Sequence, residues 1–205
     1  MKIKIQIFFF SVLFSINLLA DDIFIQAKIV SLDKDGQSSV FKNEVVVKTK
    51  GKIIKSDYVK YNKSEGYLVI KDNVIATDEE LNTIKTNFAE YYEKNKIFKS
   101  KGPTTIITSE QYKLEGSDIL IDDVKKVISS SNNAYLIDAD KNEVFLENFE
   151  YLVSDYILKS IGEAKIVDNQ NNNFQFSQIY IDTKKKEILG TDIKSFINQN
   201  SLKVN

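Results

Sequence analysis

Asp122 and Asp182 occupy the same place in two units of a repeating pattern, each after an apolar stretch (DILI and QIYI) and before a charged turn. Two carboxylates held about 5–9.5 Å apart across a cleft can cleave a glycosidic bond, one as acid and the other as base or nucleophile. This is the best catalytic pair the chain offers, and it is a thin one. Asp78-Glu79-Glu80 and Asp122-Asp123 read most simply as solvated turns. Asp138-Ala139-Asp140-Lys141-Asn142 begins like a calcium loop. Glu143 stands where the sharp-turn glycine belongs and Phe149 where the bidentate glutamate belongs, which excludes an EF-hand. Ser129-Ser130-Ser131 has no partner base, and no glycine-rich phosphate loop is present.

The missing residue types narrow the chemistry further. The 205 residues include no His, Cys or Trp, and all 28 basic residues are Lys. Histidine bases, thiol nucleophiles, disulfides and the usual zinc and haem ligands are therefore unavailable. Without Arg the chain lacks the preferred fork for phosphates and base edges, and no basic patch replaces it. The expectation is a protein with no catalytic residues, no cofactor, no metal and no nucleic-acid partner.

The first twenty residues, MKIKIQIFFFSVLFSINLLA, read as a secretory signal peptide. Lys2 and Lys4 precede an apolar run from Ile7 to Leu19, and Ala20 offers a small residue for cleavage before Asp21-Asp22. The rival reading is a membrane anchor, but a spanning helix takes about 20 apolar residues. This run is shorter and carries Ser11, Ser15 and Asn17. Cleavage after Ala20 would place residues 21–205 outside the cytoplasm, held together by packing alone.

Those residues are β-rich. Short runs of Val, Ile, Tyr and Phe are separated by turn residues at DKDG 33–36, NKSEG 62–66, EKNK 93–96, ADKN 139–142, DNQNNN 168–173 and DTKKK 182–186. Glu79–Tyr92 is the one segment with some helical spacing, and the repeat assigns it to strand instead. Units can be aligned from Ala27, Asp57, Asn87, Asp118, Asn148 and Gln178, at spacings of 30, 30, 31, 30 and 30. Chance alignment of ordinary hairpins is the alternative. A unit this small cannot bury an apolar face alone, so stacking builds one shared core with two open ends. At one layer per unit, six layers would rise by roughly 30 Å. The fold class is all-β, an elongated antiparallel β-jellyroll built from units of about 30 residues.

Alternation marks an apolar face: Ile54, Val59, Tyr61, Leu68 and Ile70, then Ala89, Tyr91 and Phe98. Later units give Ile119, Ile121, Phe149, Tyr151, Ile179 and Ile181, with an expected slip of one position that bulges near Ser56-Asp57 and Ser117-Asp118 would absorb. These fourteen residues line either a filled core or an apolar trough wide enough for acyl chains.

The stretch IFIQAKIVSLDKDGQSSVFKNEVVVKTKGKIIKSDYVKYNKSEGYLVIKDNVIATD resembles the OstA-like β-jellyroll of the lipopolysaccharide-transport family. Phe41-Lys42-Asn43-Glu44-Val45 and Lys71-Asp72-Asn73-Val74 stand where that pattern has Gly-Asn-Val. Ser56-Asp57 stands for Ala-Asp and Tyr61-Asn62 for Tyr-Asp, so the glycines and the alanine are departures. The resemblance is clearest from Ile23 to Gly102. The run ISSSNNAYLIDADKNEVFLENFEYLVSDYILKSIGEAKI looks closest to the periplasmic N-terminal domain of LptD, the lipopolysaccharide-assembly protein. A free-standing, LptA-like periplasmic bridge protein is the alternative. No transmembrane barrel is expected within these residues. The resemblance implies a periplasmic, non-catalytic carrier of lipopolysaccharide toward the outer membrane. Its partners would be the lipid's acyl chains and other transport jellyrolls paired strand edge to strand edge, with outer-membrane association in the LptD case. A carbohydrate-active β-solenoid and a structural or adhesive β-array remain as the other readings.

Overall fold

The computed structural model describes residues 23–32, 36–79, 81–109 and 111–198. The signal-peptide reading, with its cleavage site at Ala20, lies outside them. Every described element is a β-strand, and all pairings are antiparallel.

The chain runs back and forth in twelve rungs, each bent in its middle into two arms. The first rung is β1 (Phe24–Gln26) with β2 (Ile29–Leu32). Four long rungs follow: β3 (Ser38–Thr49), β4 (Lys52–Asn62), β5 (Tyr67–Asp78) and β6 (Thr83–Tyr92). The next four are each split at the bend: β7 (Ile97–Ser100) with β8 (Pro103–Ile107), β9 (Lys113–Ser117) with β10 (Leu120–Asp122), β11 (Val127–Ser130) with β12 (Ala134–Ile137), and β13 (Glu143–Leu146) with β14 (Phe149–Leu152). The last are β15 (Ile157–Val167), β16 (Asn173–Asp182), and β17 (Glu187–Thr191) with β18 (Lys194–Phe196). Split and unsplit rungs are equivalent, because β6 pairs with β7 along one arm and with β8 along the other. Glu79–Tyr92 holds strand β6 because both its neighbours present ladder partners.

Two series of turns close the arms. In arm A the fourth turn residue is left-handed at Gly66, Lys96, Lys126, Tyr156 and Lys186; in arm B the left-handed positions are Gly51, Leu81, Gln111, Lys141 and Asn171. Both series advance by 30, so the repeat is real and its length constant. Within a unit the chain makes two rungs, not one layer. Twelve rungs at about 4.8 Å each make the stack roughly 50 Å long, not 30 Å.

The expected one-residue slip of the apolar face is corrected too. Inward positions run 59, 89, 119, 149 and 179, and 61, 91, 121, 151 and 181, without a break. The apparent slip came from the single spacing of 31, which started the fourth unit at Asp118 where a constant 30 starts it at Ser117. The bulge expected at Ser56-Asp57 is present as a register shift between Lys55 and Tyr58, and Asp118 is left-handed between β9 and β10. Other rungs shift likewise, between Lys42 and Val45, Lys71 and Val74, and Ile161 and Ala164. The bend in β4 swaps the strand's faces, so even-numbered Ile54 and odd-numbered Val59 both point inward, whereas β5 keeps its parity through Leu68, Ile70, Val74 and Ala76.

The two arms fold face to face over one apolar core. Opposite the bends their free ends meet along a seam. Lys52 of arm B contacts Asp123 of arm A, and Lys186 Nζ of arm A lies 3.4 Å from Asp140 of arm B. The partners sit three to four rungs apart in the stack, as the twist of each arm requires when the arms cross.

Candidate functional site

Seven of the fourteen expected trough residues form one unbroken cross-strand ladder in arm A. It runs Tyr61, Leu68, Tyr91, Phe98, Ile121, Ile128, Tyr151, Leu158 and Ile181, each directly opposite the next. Beside it, nearer the bends, Val59, Ile70 and Ala89 stand opposite one another, and Ile119, Phe149 and Ile179 continue inward along that line. Phe98, Leu68, Ile70, Val59 and Ile179 are wholly buried; Tyr61, Tyr151 and Ile181, nearest the seam, are partly exposed. Two of these tyrosines reach out to the turn beyond the neighbouring rung. Tyr61 donates to Glu93 at 3.3 Å, and Tyr151 pairs with Thr183 at 3.4 Å. Burial, and then the Glu93 charge, push the Tyr61 hydroxyl above its ordinary pKa.

Ile54 is the fourteenth and sits apart, in arm B. It belongs to a second ladder that sequence reading missed: Val47, Ile54, Ala76, Ile84, Ile106, Leu114, Leu136, Val144 and Ile166. The signal was present as alternating runs such as VVV at 45–47 and TTII at 104–107. Units aligned on the bend into arm A left the second half of each unit unread. The two ladders face each other and enclose the interior.

Small polar residues line the inside of the bends. Thr104 donates to Ser100 at 2.7 Å, and Ser100 accepts from the Ile119 amide at 2.9 Å. Ser130 donates to the Ser117 carbonyl at 2.7 Å. Ser160 holds the equivalent place two rungs on, is 1 % exposed, and its hydroxyl has no partner.

Asp122 and Asp182 do not form a catalytic pair. Asp122 stands opposite Val127, Val127 opposite Leu152, Leu152 opposite Ile157, and Ile157 opposite Asp182. Four ladder steps separate the carboxylates by about 19 Å, too far for glycoside hydrolysis. Each caps its own turn. Asp122 accepts from the Lys125 and Val124 amides, and Asp182 from the Lys185 and Lys184 amides. The amide of Lys125 is the main cause holding Asp122 below the ordinary aspartate value, and that of Lys185 does the same for Asp182. Asp138, from the rejected calcium loop, caps an arm B turn by accepting from the Asn142 amide and side chain. Among the described residues no group of three or more His, Cys, Asp or Glu could hold a metal ion. No described helix is long and apolar enough to cross a membrane.

The end rungs are apolar and open. Ile29, Val30 and Leu32 of the first are at least half exposed, as are Ile188, Leu189, Ile193 and Phe196 of the last. Within the described chain β17 and β18 pair on one side only, with β16.

A separate open cleft of about 720 Å³ lies on the outer face of arm B, and none of the fourteen expected residues lines it. Its floor crosses the last six rungs beside the bends. Ala134, Leu146, Ala164 and Phe176 point from this stretch into the core, so alternate residues Tyr135, Phe145, Lys165 and Gln175 project outward into the cleft. Nearer the bends stand Asn133, Glu147, Glu163, Ser177 and Asp192.

No protein-family profile matches this chain. No curated protein matches it either. Among solved structures it is similar to LptH of Pseudomonas aeruginosa, described as the LptA homologous periplasmic component of the conserved lipopolysaccharide transport device. The likeness covers 87 % of this chain and 96 % of that one, at 13 % sequence identity and a TM-score of 0.26. At that level the function has to be argued from this chain's own residues.

Proposed function

We propose that this chain is a non-catalytic, periplasmic carrier of lipopolysaccharide toward the outer membrane. The observation that carries the reading is the pair of facing apolar ladders, which run along the stack toward apolar end rungs that, among the described residues, pair on one side only. Acyl chains would lie between the ladders, with sugars and phosphates outside. Burial contributes roughly 0.8 kcal/mol per methylene, and near-equal sites on successive rungs would let the lipid advance without a deep trap. The ladders are closed on each other in the free protein, so entry would part the seam at Lys52–Asp123 and Lys186–Asp140. The end rungs supply free N–H and C=O groups for another jellyroll's edge. The sequence resemblance makes this the periplasmic domain of an LptD-type assembly protein, with a free-standing bridge as the alternative.

A photoreactive amino acid at Tyr61, Phe98 or Ile121, with turn residue Lys185 as control, tests the reading in cells. Crosslinks to lipopolysaccharide from the three inward sites and none from Lys185 are expected. Crosslinks to protein alone, or none, would make the ladders an ordinary core and favour a structural array. A crosslinked outer-membrane barrel protein at the last rung would favour the bridge over the LptD-type domain.

A further inference from the structure

We propose that the outer cleft of arm B binds a neutral or amino-bearing oligosaccharide. This site is separate from the lipid interior and does not rest on the lipid reading. The volume, about 720 Å³, falls among small-ligand sites and suits two or three sugar rings.

The chemistry of the lining selects the class. Tyr135 and Phe145 stand opposite each other across β12 and β13, ring centroids 5.1 Å apart and tilted by 45°. Phe145 is 39 % exposed, although a packed core is one residue away on either side. The Lys165 ammonium lies 5.6 Å from the Phe145 ring centroid. Such rings offer an apolar platform to the C–H face of a sugar. Around them, the side chains of Asn133, Glu163, Gln175 and Lys194 make no hydrogen bond or ion pair among the described residues. They supply unspent donors and acceptors, which hydroxyl groups can meet in either sense.

Charge narrows the choice. Four carboxylates and only two ammonium groups line the cleft, so it disfavours phosphorylated or nucleic-acid ligands and favours an amine. A peptide is the poorer fit. An extended peptide binds a sheet by pairing with a free edge, whereas this floor is made mainly of rungs already paired on both sides.

The test is a titration of the purified chain with chitobiose, cellobiose and glucose 6-phosphate, read from the side-chain amide NMR signals of Asn133 and Gln175. Chitobiose should move both signals, cellobiose should bind about tenfold more weakly, and glucose 6-phosphate should leave them in place. Tyr135→Ala should abolish binding while the far-ultraviolet circular dichroism and the melting temperature hold. If that variant unfolds, Glu163→Gln is decisive: it should weaken chitobiose about tenfold and leave cellobiose unchanged. No shift with any saccharide up to about 20 mM would overturn the proposal. So would tightest binding of glucose 6-phosphate, or a Tyr135→Ala protein that is folded and binds as before. Lipid crosslinking at Phe98 is unaffected by either result, so the two readings fail separately.

Discussion

The Lys52 ammonium meets the Asp123 carboxylate across the seam, tying the start of β4 to the turn that follows β10, four rungs away. The lysine side chain is only 8 % exposed, against 27 % for the aspartate. Asp123→Asn would leave a buried ammonium short of its counter-charge. We expect a loss of about 2 kcal/mol, below the usual cost of breaking a buried pair because the aspartate keeps some water. Lys52→Met keeps the apolar stem and removes the charge, so it should cost less than Asp123→Asn. Chemical denaturation of both variants checks the order, and an equal or reversed order would mean that the ion pair does not hold the seam.

Ser160 and Ser130 occupy equivalent places in the inner lining, yet one hydroxyl is orphaned and the other is bonded. Ser160→Ala should therefore raise stability by about 0.5–1 kcal/mol, and Ser130→Ala should lower it by a similar amount. Thermal melts of the pair measure the contrast. Destabilisation by both would reveal a partner for Ser160 that the structure does not hold.

Gly190 carries the Phe176 ring against its backbone. A Cβ there would lie 2.2 Å from the ring, so Gly190→Ala must displace Phe176. The expected cost is about 1–3 kcal/mol, felt first as faster amide exchange in β17 and β16. Unchanged exchange in those two strands would contradict the placement.

Several turn aspartates sit below their ordinary pKa. For Asp168, burial pushes the value up, but hydrogen bonds from the Asn172 side chain and amide and from the Gln170 amide outweigh it. The folded value lies below the unfolded one. The stabilisation is therefore complete above the ordinary aspartate value and disappears as pH falls through the folded value. Acidification from pH 5 to pH 2 should lower the melting temperature, and Asp168→Asn should flatten that slope while lowering stability at pH 7. An unaltered slope would show that Asp168 does not contribute.

The fold was largely legible because its signals are local. Turn residues and alternating runs gave the strands, and constant spacing overrode the helical hint in Glu79–Tyr92. Arm A was legible because its tyrosines and isoleucines punctuate each unit. Arm B was not: in β4 and β6 its inward residues, Ile54 and Ile84, have the opposite parity to Val59 and Ala89 across the bend, so one alternation does not carry through the strand. The seam was invisible for a different reason: Lys52 and Asp123 are 71 residues apart and meet only through the crossing of the two arms. The outer cleft was missed because Tyr135 and Phe145 read as one more apolar pair. Only the parity of Ala134 and Leu146 shows that they face outward.

The left-handed turn positions keep a constant interval from Gly51 to Asn171 in one arm and from Gly66 to Lys186 in the other. Such a chain behaves as a ruler with graduations. Insertion or loss of one unit adds or removes two rungs, about 10 Å of span, and leaves every remaining residue with the kind of neighbour it had before. The length of the stack is thus adjustable by copy number, in fixed increments, without redesign of its interior.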